Sequence, residues 1–190
     1  MIRYAVVDIE TTGLSPAYHH RILEVAVVLV DDTGNGLSAS DVYAAPTFGQ
    51  IAGELASILQ GRVPVSHNLS FDAPFLESEY LRLGYKVPIS PTLGLCTMRL
   101  ASRYLSTNSR SLEGCCGCIN YCIEAAHSAI TDARASARLL AHYIQHDRNF
   151  TRSWHDVIFT AQSSEWPIVP PSGAATLSRQ TRATVTRQHF

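Results

Sequence analysis

Five side chains have types and spacings that carry chemistry: Asp8 and Glu10 in "AVVDIETTGL", Asp72 in "VSHNLSFDAPFL", and His127 with Asp132 in "AHSAITDARASARLL". Asp8 and Glu10 stand where an apolar run ends. Residues two apart on a strand project to the same side, so the pair points together, and each carboxylate raises the pKa of the other unless a cation or water offsets the repulsion. Asp72 and Asp132 fall where helical patterns begin, and His127 precedes Asp132 by five residues. Singly, each acid is an ordinary helix-start residue favoured by the helix dipole, and the histidine an ordinary loop residue. Together they read differently, because strand ends and helix starts on one side of an open α/β sheet gather in the crevice where such folds bind ligands. Four carboxylates in one hollow are tolerable only with cations among them. An all-oxygen donor set favours Mg²⁺ or Mn²⁺ over zinc, and two such ions together are a known solution for hydrolysing phosphodiesters.

The elements that must position these groups are legible in outline. Residues 2–9 and 21–30 are rich in Val and Ile and read as an antiparallel pair of strands, with Gly13 and Pro16 punctuating the connection. A helical period runs over 48–60, "RVPVSHN" reads as a third strand, and "SFDAPFLESEYLRLG" as a helix begun by Ser70 and closed by Gly84, with Pro74 tolerable only in the first turn. "PTLGLCTMRLASRYL" reads as strand running into helix and "SRSLEGCCGCI" as a short helix. A last helix, "TDARASARLLAHYIQH", turns Ala133, Ala137, Leu140 and Ile144 to the core. Strands alternating with helices predict an α/β layer architecture.

Composition bounds the reading. The chain has 190 residues, 46% of them hydrophobic and 16% charged, and shows neither a long uninterrupted apolar run nor a cleavable leader, which predicts a soluble, cytoplasmic protein with no membrane partner. A net charge of −1 argues against a surface that hugs a long duplex and leaves a short or single-stranded end as the acceptable nucleic acid. Of the five cysteines, Cys115, Cys116, Cys118 and Cys122 crowd together; without a second C-x-x-C half-site they read as core residues before a metal site. Past His146 the character changes. "SSEWPIVPPSG" cannot continue a helix, and residues 172–190 carry three arginines and no acid, so the expected organisation is one domain over 1–146 and a C-terminal extension over 147–190, partly disordered or partner-binding, with Trp154 and Trp166 as anchors for its first half.

"VVDIETTGL", "VSHNLSFDAPFL" and "AHSAITDARASARLL" together resemble, in order and context, the three motifs of the DEDDh 3′–5′ exonucleases, a family that includes the epsilon proofreading subunits of bacterial DNA polymerase III. The resemblance covers residues 1 to about 146. It implies a ribonuclease H-like fold, a mixed central sheet flanked by helices. Asp8, Glu10, Asp72 and Asp132 would hold two divalent ions, Mg²⁺ or Mn²⁺, and His127 would be the general base that takes a proton from the attacking water. It also implies that Thr11, Thr12 and Gly13 meet the terminal nucleotide through the backbone, that Leu14 wedges beside the last base, and that His67, Asn68 and Phe71 line the same pocket. Phe71 reads equally well as a core aromatic and His67 as a structural histidine.

The chain departs from the family pattern after its second strand. "VVLVDDTGN" runs straight to "GLSASDVYAAPTF", so one edge strand and its return are expected to be missing, and Asn35 precedes a Gly36-Leu37 pair where relatives carry a histidine. A bare strand edge needs a cover, from "DVYAA" or from the C-terminal tail. The expected activity is removal of nucleoside monophosphates from single-stranded 3′ ends, in proofreading or repair, with DNA ahead of RNA. The alternatives are an RNA or oligoribonucleotide exonuclease, and a non-catalytic subunit that docks on a polymerase through its tail.

Overall fold

A computed structural model describes residues 2–34, 38–42, 47–123, 128–147, 152–170 and 178–180. Its centre is a sheet made by β1 (Ile2–Thr11), β2 (Ile22–Asp31), β3 (Ser38–Val42), β4 (Val63–Ser66), β5 (Leu95–Cys96) and β6 (Ser178–Gln180), in the order β5-β4-β1-β2-β3-β6. β1 and β2 pair antiparallel from Ile2↔Asp31 to Thr11↔Ile22, while β4 and β5 run parallel to β1 on the other side. The helices are α1 (Phe48–Leu59), α2 (Leu69–Arg82), α3 (Thr97–Tyr104), α4 (Leu112–Gly117), α5 (Ala129–His146) and α6 (Arg152–Ser163). None of the described helices is long and apolar enough to cross a membrane.

Central strands covered on both faces must be apolar at nearly every position, and residues 4–7 of β1 and 25–28 of β2 are all buried. Their parity divides the interior into two layers. Tyr4 and Val6, with Ala26, Val28 and Val30, pack against the Ala133, Ala137, Leu140 and Ile144 face of α5; Ala5, Val7 and Ile9, with Val25 and Val27, pack against α1 and α2. Asp8 and Glu10 continue the even-numbered row.

Three local expectations change. β2 does not end the antiparallel part of the sheet: β3 pairs with it from Val25↔Val42 to Leu29↔Ser38, and β6 pairs with β3. The edge strand expected to be missing is therefore present, built from the polar "SASDV", because the open ladder of β2 supplies the pairing that the strand's own composition does not announce. Asn35, Gly36 and Leu37 lie outside the described residues, as do residues 43–45 of "DVYAA". Second, α2 starts from Asn68 and not Ser70. The Asn68 carbonyl accepts from Phe71 N at 2.7 Å and Asp72 N at 3.3 Å, which leaves Pro74 in the second turn and the Ser70 carbonyl without a donor from that position. Third, the first half of the extension contains a helix, α6, that the sequence reading does not include, while the anchoring expected of its tryptophans is observed: Trp154 is buried, sits edge-on to Tyr4 at 6.1 Å and donates Nε1 to Tyr104 Oη at 3.2 Å, and Trp166 packs against the other layer. Residues 171–177 and 181–190 of the tail lie outside the described residues.

The cysteines divide. Cys115 and Cys116 are buried, Cys116 under α5 with Sγ 3.8 Å from the Ala135 carbonyl, whereas Cys118 and Cys122 are exposed, and all five of the chain are free thiols. α4 turns one face to the core and the other to solvent, so the core reading holds for two of the four.

Candidate active site

The acids meet where the sheet opens. β1 pairs with β4 only as far as Val6↔Val65, and β4 stops at Ser66 while β1 runs on to Thr11. Beyond that point the β1 backbone has no strand on its β4 side among the described residues, and Asp72, in the first turn of α2, accepts hydrogen bonds from the Ile9 backbone N–H and from Ser66 Oγ, the latter at 2.6 Å. Asp8 and Glu10 project from the same stretch of β1. Asp132 comes from the first turn of α5, whose N-cap Ser128 accepts from Thr131 N at 3.4 Å and fixes where the helix begins. Single carboxylate oxygens of Asp8, Glu10 and Asp132 all lie within 4.8 Å of one another, and no other such group of three His, Cys, Asp or Glu is found among the described residues.

Asp72 is buried beside this threesome, at 4% exposure, and is the strongest neighbouring charge on Asp8. Burial first, and then the charges of Asp72, Asp132, Glu10 and Glu24, together raise the Asp8 carboxyl to about 9. Asp72 is raised to about 7 by burial, against hydrogen bonds from Ser66 and backbone N–H groups that favour its ionised form. Acids in this state hold protons at neutral pH that a cation would displace. Carboxylate oxygens only, half-buried and convergent, fit a hard divalent ion.

Glu24 was not legible as a neighbour of the site. It stands directly across the β1–β2 ladder from Glu10, a like-charged cross-strand pair that is costly in water and becomes recognisable only once the strand register is known.

The other residues expected at the site are placed as follows. Thr11 ends β1 and donates Oγ1 to the Gly13 carbonyl at 2.7 Å, and Thr12 Oγ1 accepts from Arg21 N at 2.9 Å, so both hydroxyls brace the turn. Gly13 is a point of close approach: an added Cβ would lie 2.5–2.6 Å from the imidazole of His20, whose Nδ1 accepts from Ser15 N. His20 gave no sign of this role in the sequence. Leu14 projects from the turn at 84% exposure. His67 has both ring nitrogens engaged. Nε2 donates to the Arg110 carbonyl at 2.8 Å, so Nδ1, 2.9 Å from Thr97 Oγ1, accepts. Burial holds its pKa below the usual imidazole value, which keeps this neutral arrangement and makes the structural reading of His67 the one its contacts support. Asn68 is exposed with no side-chain capping bond, and Phe71 is half-buried, its ring 5.1 Å from that of Phe75. His127 lies outside the described residues.

The connection carrying these turn residues is fastened from below. Glu79 of α2 is buried and accepts from Arg21 Nε at 2.6 Å and Nη2 at 2.8 Å, and from Arg82 Nη1 at 3.0 Å. Burial pulls its pKa upward, but the Arg21 hydrogen bonds and charge outweigh that and hold it below the ordinary value.

Comparison with known proteins agrees with this geometry. A profile of the exonuclease (RNase T) family matches residues 33–140, a span that contains Asp72, His127 and Asp132. The chain is similar to the DNA polymerase III subunit epsilon of Buchnera aphidicola subsp. Acyrthosiphon pisum, 26% identical over 167 residues, which cover 72% of this chain and 70% of that protein. It is as similar to the epsilon subunit of Escherichia coli, 26% identical over 168 residues, covering 73% and 68%. A third relative, the 3′-5′ exonuclease DinG of Bacillus subtilis, is 27% identical over 108 residues, 45% of this chain but only 12% of that much longer protein. With more than half of its length matched, the chain belongs to the exonuclease family, and its enzyme class is that of a 3′–5′ exonuclease, a hydrolase.

Proposed function

We propose that the chain hydrolyses phosphodiester bonds at single-stranded DNA 3′ ends and releases nucleoside monophosphates, using two divalent ions, Mg²⁺ or Mn²⁺, held by Asp8, Glu10, Asp72 and Asp132. The observation that carries this reading is the meeting of three half-buried carboxylates within 4.8 Å beside a fourth that is buried. Bound there, the ions would polarise the scissile phosphate, activate water and stabilise the leaving oxygen. His127, five residues ahead of Asp132, takes the proton of the attacking water, a role suited to an imidazole near neutral pH. Thr11 to Gly13 offer backbone groups to the terminal nucleotide, Leu14 offers an exposed apolar wedge, Asn68 a free amide, and Phe71 a partly open ring for stacking. His67 acts here through the loop it holds at Arg110. The kinship with polymerase subunits favours a place in DNA replication or repair and a polymerase as partner, with the C-terminal tail as its docking segment.

The test is release of mononucleotides from 5′-labelled single strands of DNA and of RNA, with Mg²⁺ or Mn²⁺ and with EDTA. Stepwise 3′ shortening of the DNA strand that stops in EDTA is the expected result. No shortening with either ion, or cuts internal to the strand, overturns the proposal; faster loss of RNA overturns the assignment of the sugar.

A further inference from the structure

A polar cleft of about 330 Å³ lies alongside α3, lined by Met98, Arg99, Ser102, Thr107, Asn108 and Arg110 among others. It adjoins the acidic site through one side chain. His67 feels the charge of Asp132 on one side and donates Nε2 to the Arg110 carbonyl on the other, while the Met98 N–H bonds to the His67 carbonyl at 3.2 Å. His67 is thus bonded to the cleft's Arg110 and lies within reach of the charge of Asp132.

Among the described residues its two cations stand apart from most of the other arginines. Arg3, Arg21, Arg82 and Arg103 are paired with carboxylates, Arg62 Nη1 donates to helix-end carbonyls, and Arg138 lies over the ring of Tyr121. The guanidinium groups of Arg99 and Arg110 make no hydrogen bond or ion pair with the described residues, and both side chains are exposed. A site of four acids repels the phosphates of any strand led into it, and a protein of net charge −1 has no general positive field to offset this.

We infer that this cleft is the track for the strand behind its reacting end, with Arg99 and Arg110 each taking one phosphate and the hydroxyl and amide groups of Ser102, Thr107 and Asn108 bonding the backbone between them. The inference rests on the proposed exonuclease activity and adds where the rest of the substrate lies. Contacts to phosphate and sugar position a strand without reading its sequence, so the track is indifferent to base order.

The experiment is fluorescence anisotropy of a labelled single-stranded DNA decamer in EDTA, where hydrolysis does not interfere, with the full chain and with Arg99→Ala/Arg110→Ala. The double variant is expected to bind at least about tenfold more weakly, and the slope of log affinity against log salt is expected to fall by about 1.4, at about 0.7 per phosphate of a single strand. Arg99→Lys/Arg110→Lys, which keeps the charge, recovers most of the affinity. Equal affinity and salt slope for the parent and the alanine variant, or a parent that binds no strand, overturns the inference; far-UV circular dichroism checks that the variants fold. Hydrolysis of the p-nitrophenyl ester of thymidine 5′-monophosphate with Mn²⁺, a substrate too short to enter the cleft, reports on the exonuclease reading alone. An inert ester beside arginine-dependent binding sinks that reading and leaves the track.

Discussion

Ser66 donates its hydroxyl to the carboxylate of Asp72 at 2.6 Å, and both residues are buried. A hydrogen bond to a charged acceptor favours the ionised form, so this contact opposes the burial that raises Asp72 to about 7. Ser66→Ala should raise that pKa further, weaken Mn²⁺ binding several-fold, and move the acid limb of the pH–rate profile to higher pH. An isothermal titration with Mn²⁺ that finds equal affinity in the variant would show that Asp72 is not a ligand.

In the metal-free protein the fold works against its own acids. Asp8 is raised from 3.8 to about 9. A group whose folded pKa exceeds its unfolded one contributes stability below the unfolded value and loses it as pH climbs through the folded one. The melting temperature in EDTA should therefore fall as pH rises from 5 to 9, and millimolar Mn²⁺ should flatten that decline, because the ion takes the place of the protons. Parallel melting curves with and without Mn²⁺ across this range would contradict the assigned centre.

Histidine and acid variants should part company. His127→Ala is expected to lose about 10²–10⁴ in turnover while still binding Mn²⁺, the range that a positioned base supplies. Asp132→Asn should lose ion binding and turnover together. A His127→Ala enzyme with the parent's rate refutes the role given to the imidazole.

Gly13 and His20 should behave as one unit. Alanine at 13 drives a methyl into the His20 ring and breaks the Ser15–His20 bond. Gly13→Ala should raise KM more than it lowers kcat, and should cost little in a His20→Ala background. A double-mutant cycle measures the coupling, and additive effects would mean that Gly13 is required by the substrate and not by His20.

The Arg21–Glu79 clasp has its own pH signature. Glu79 sits below its ordinary 4.5, so its stabilisation is present above that value and lost as pH falls through the lower one. Arg21→Ala should cost about 1–3 kcal/mol at pH 7, the range for a lost bond to a buried charged group, and progressively less below 4.5. Urea titrations at pH 7 and pH 3.5 compare the two.

Much of this site was readable because its chemistry sits on regular periods. The two-residue step placed Asp8 and Glu10 on one face of β1, and the first turns of α2 and α5 brought Asp72 and Asp132 to the same end of the sheet. β3 escaped notice because Ser38, Ser40 and Asp41 carry no strand preference of their own; the ladder of β2 supplies it. α6 carries a helical signal of its own: Trp154, Val157, Ile158 and Ala161 recur at helical spacing, ahead of the prolines that give the segment its tail-like composition. The pairings of His67 with Arg110 and of Glu10 with Glu24 depend on register and loop path, which no local pattern encodes.

The alternation along β1 gives the molecule an odd-and-even arithmetic shared by its interior and its reactive end. Tyr4 and Val6 count toward α5, and so do Asp8 and Glu10. Adding or deleting a single residue between Val6 and Asp8 would swing both carboxylates toward α1 and α2, among apolar side chains and away from Asp132. An enzyme laid out this way can exchange side chains along that strand one at a time, but it cannot change the strand's count.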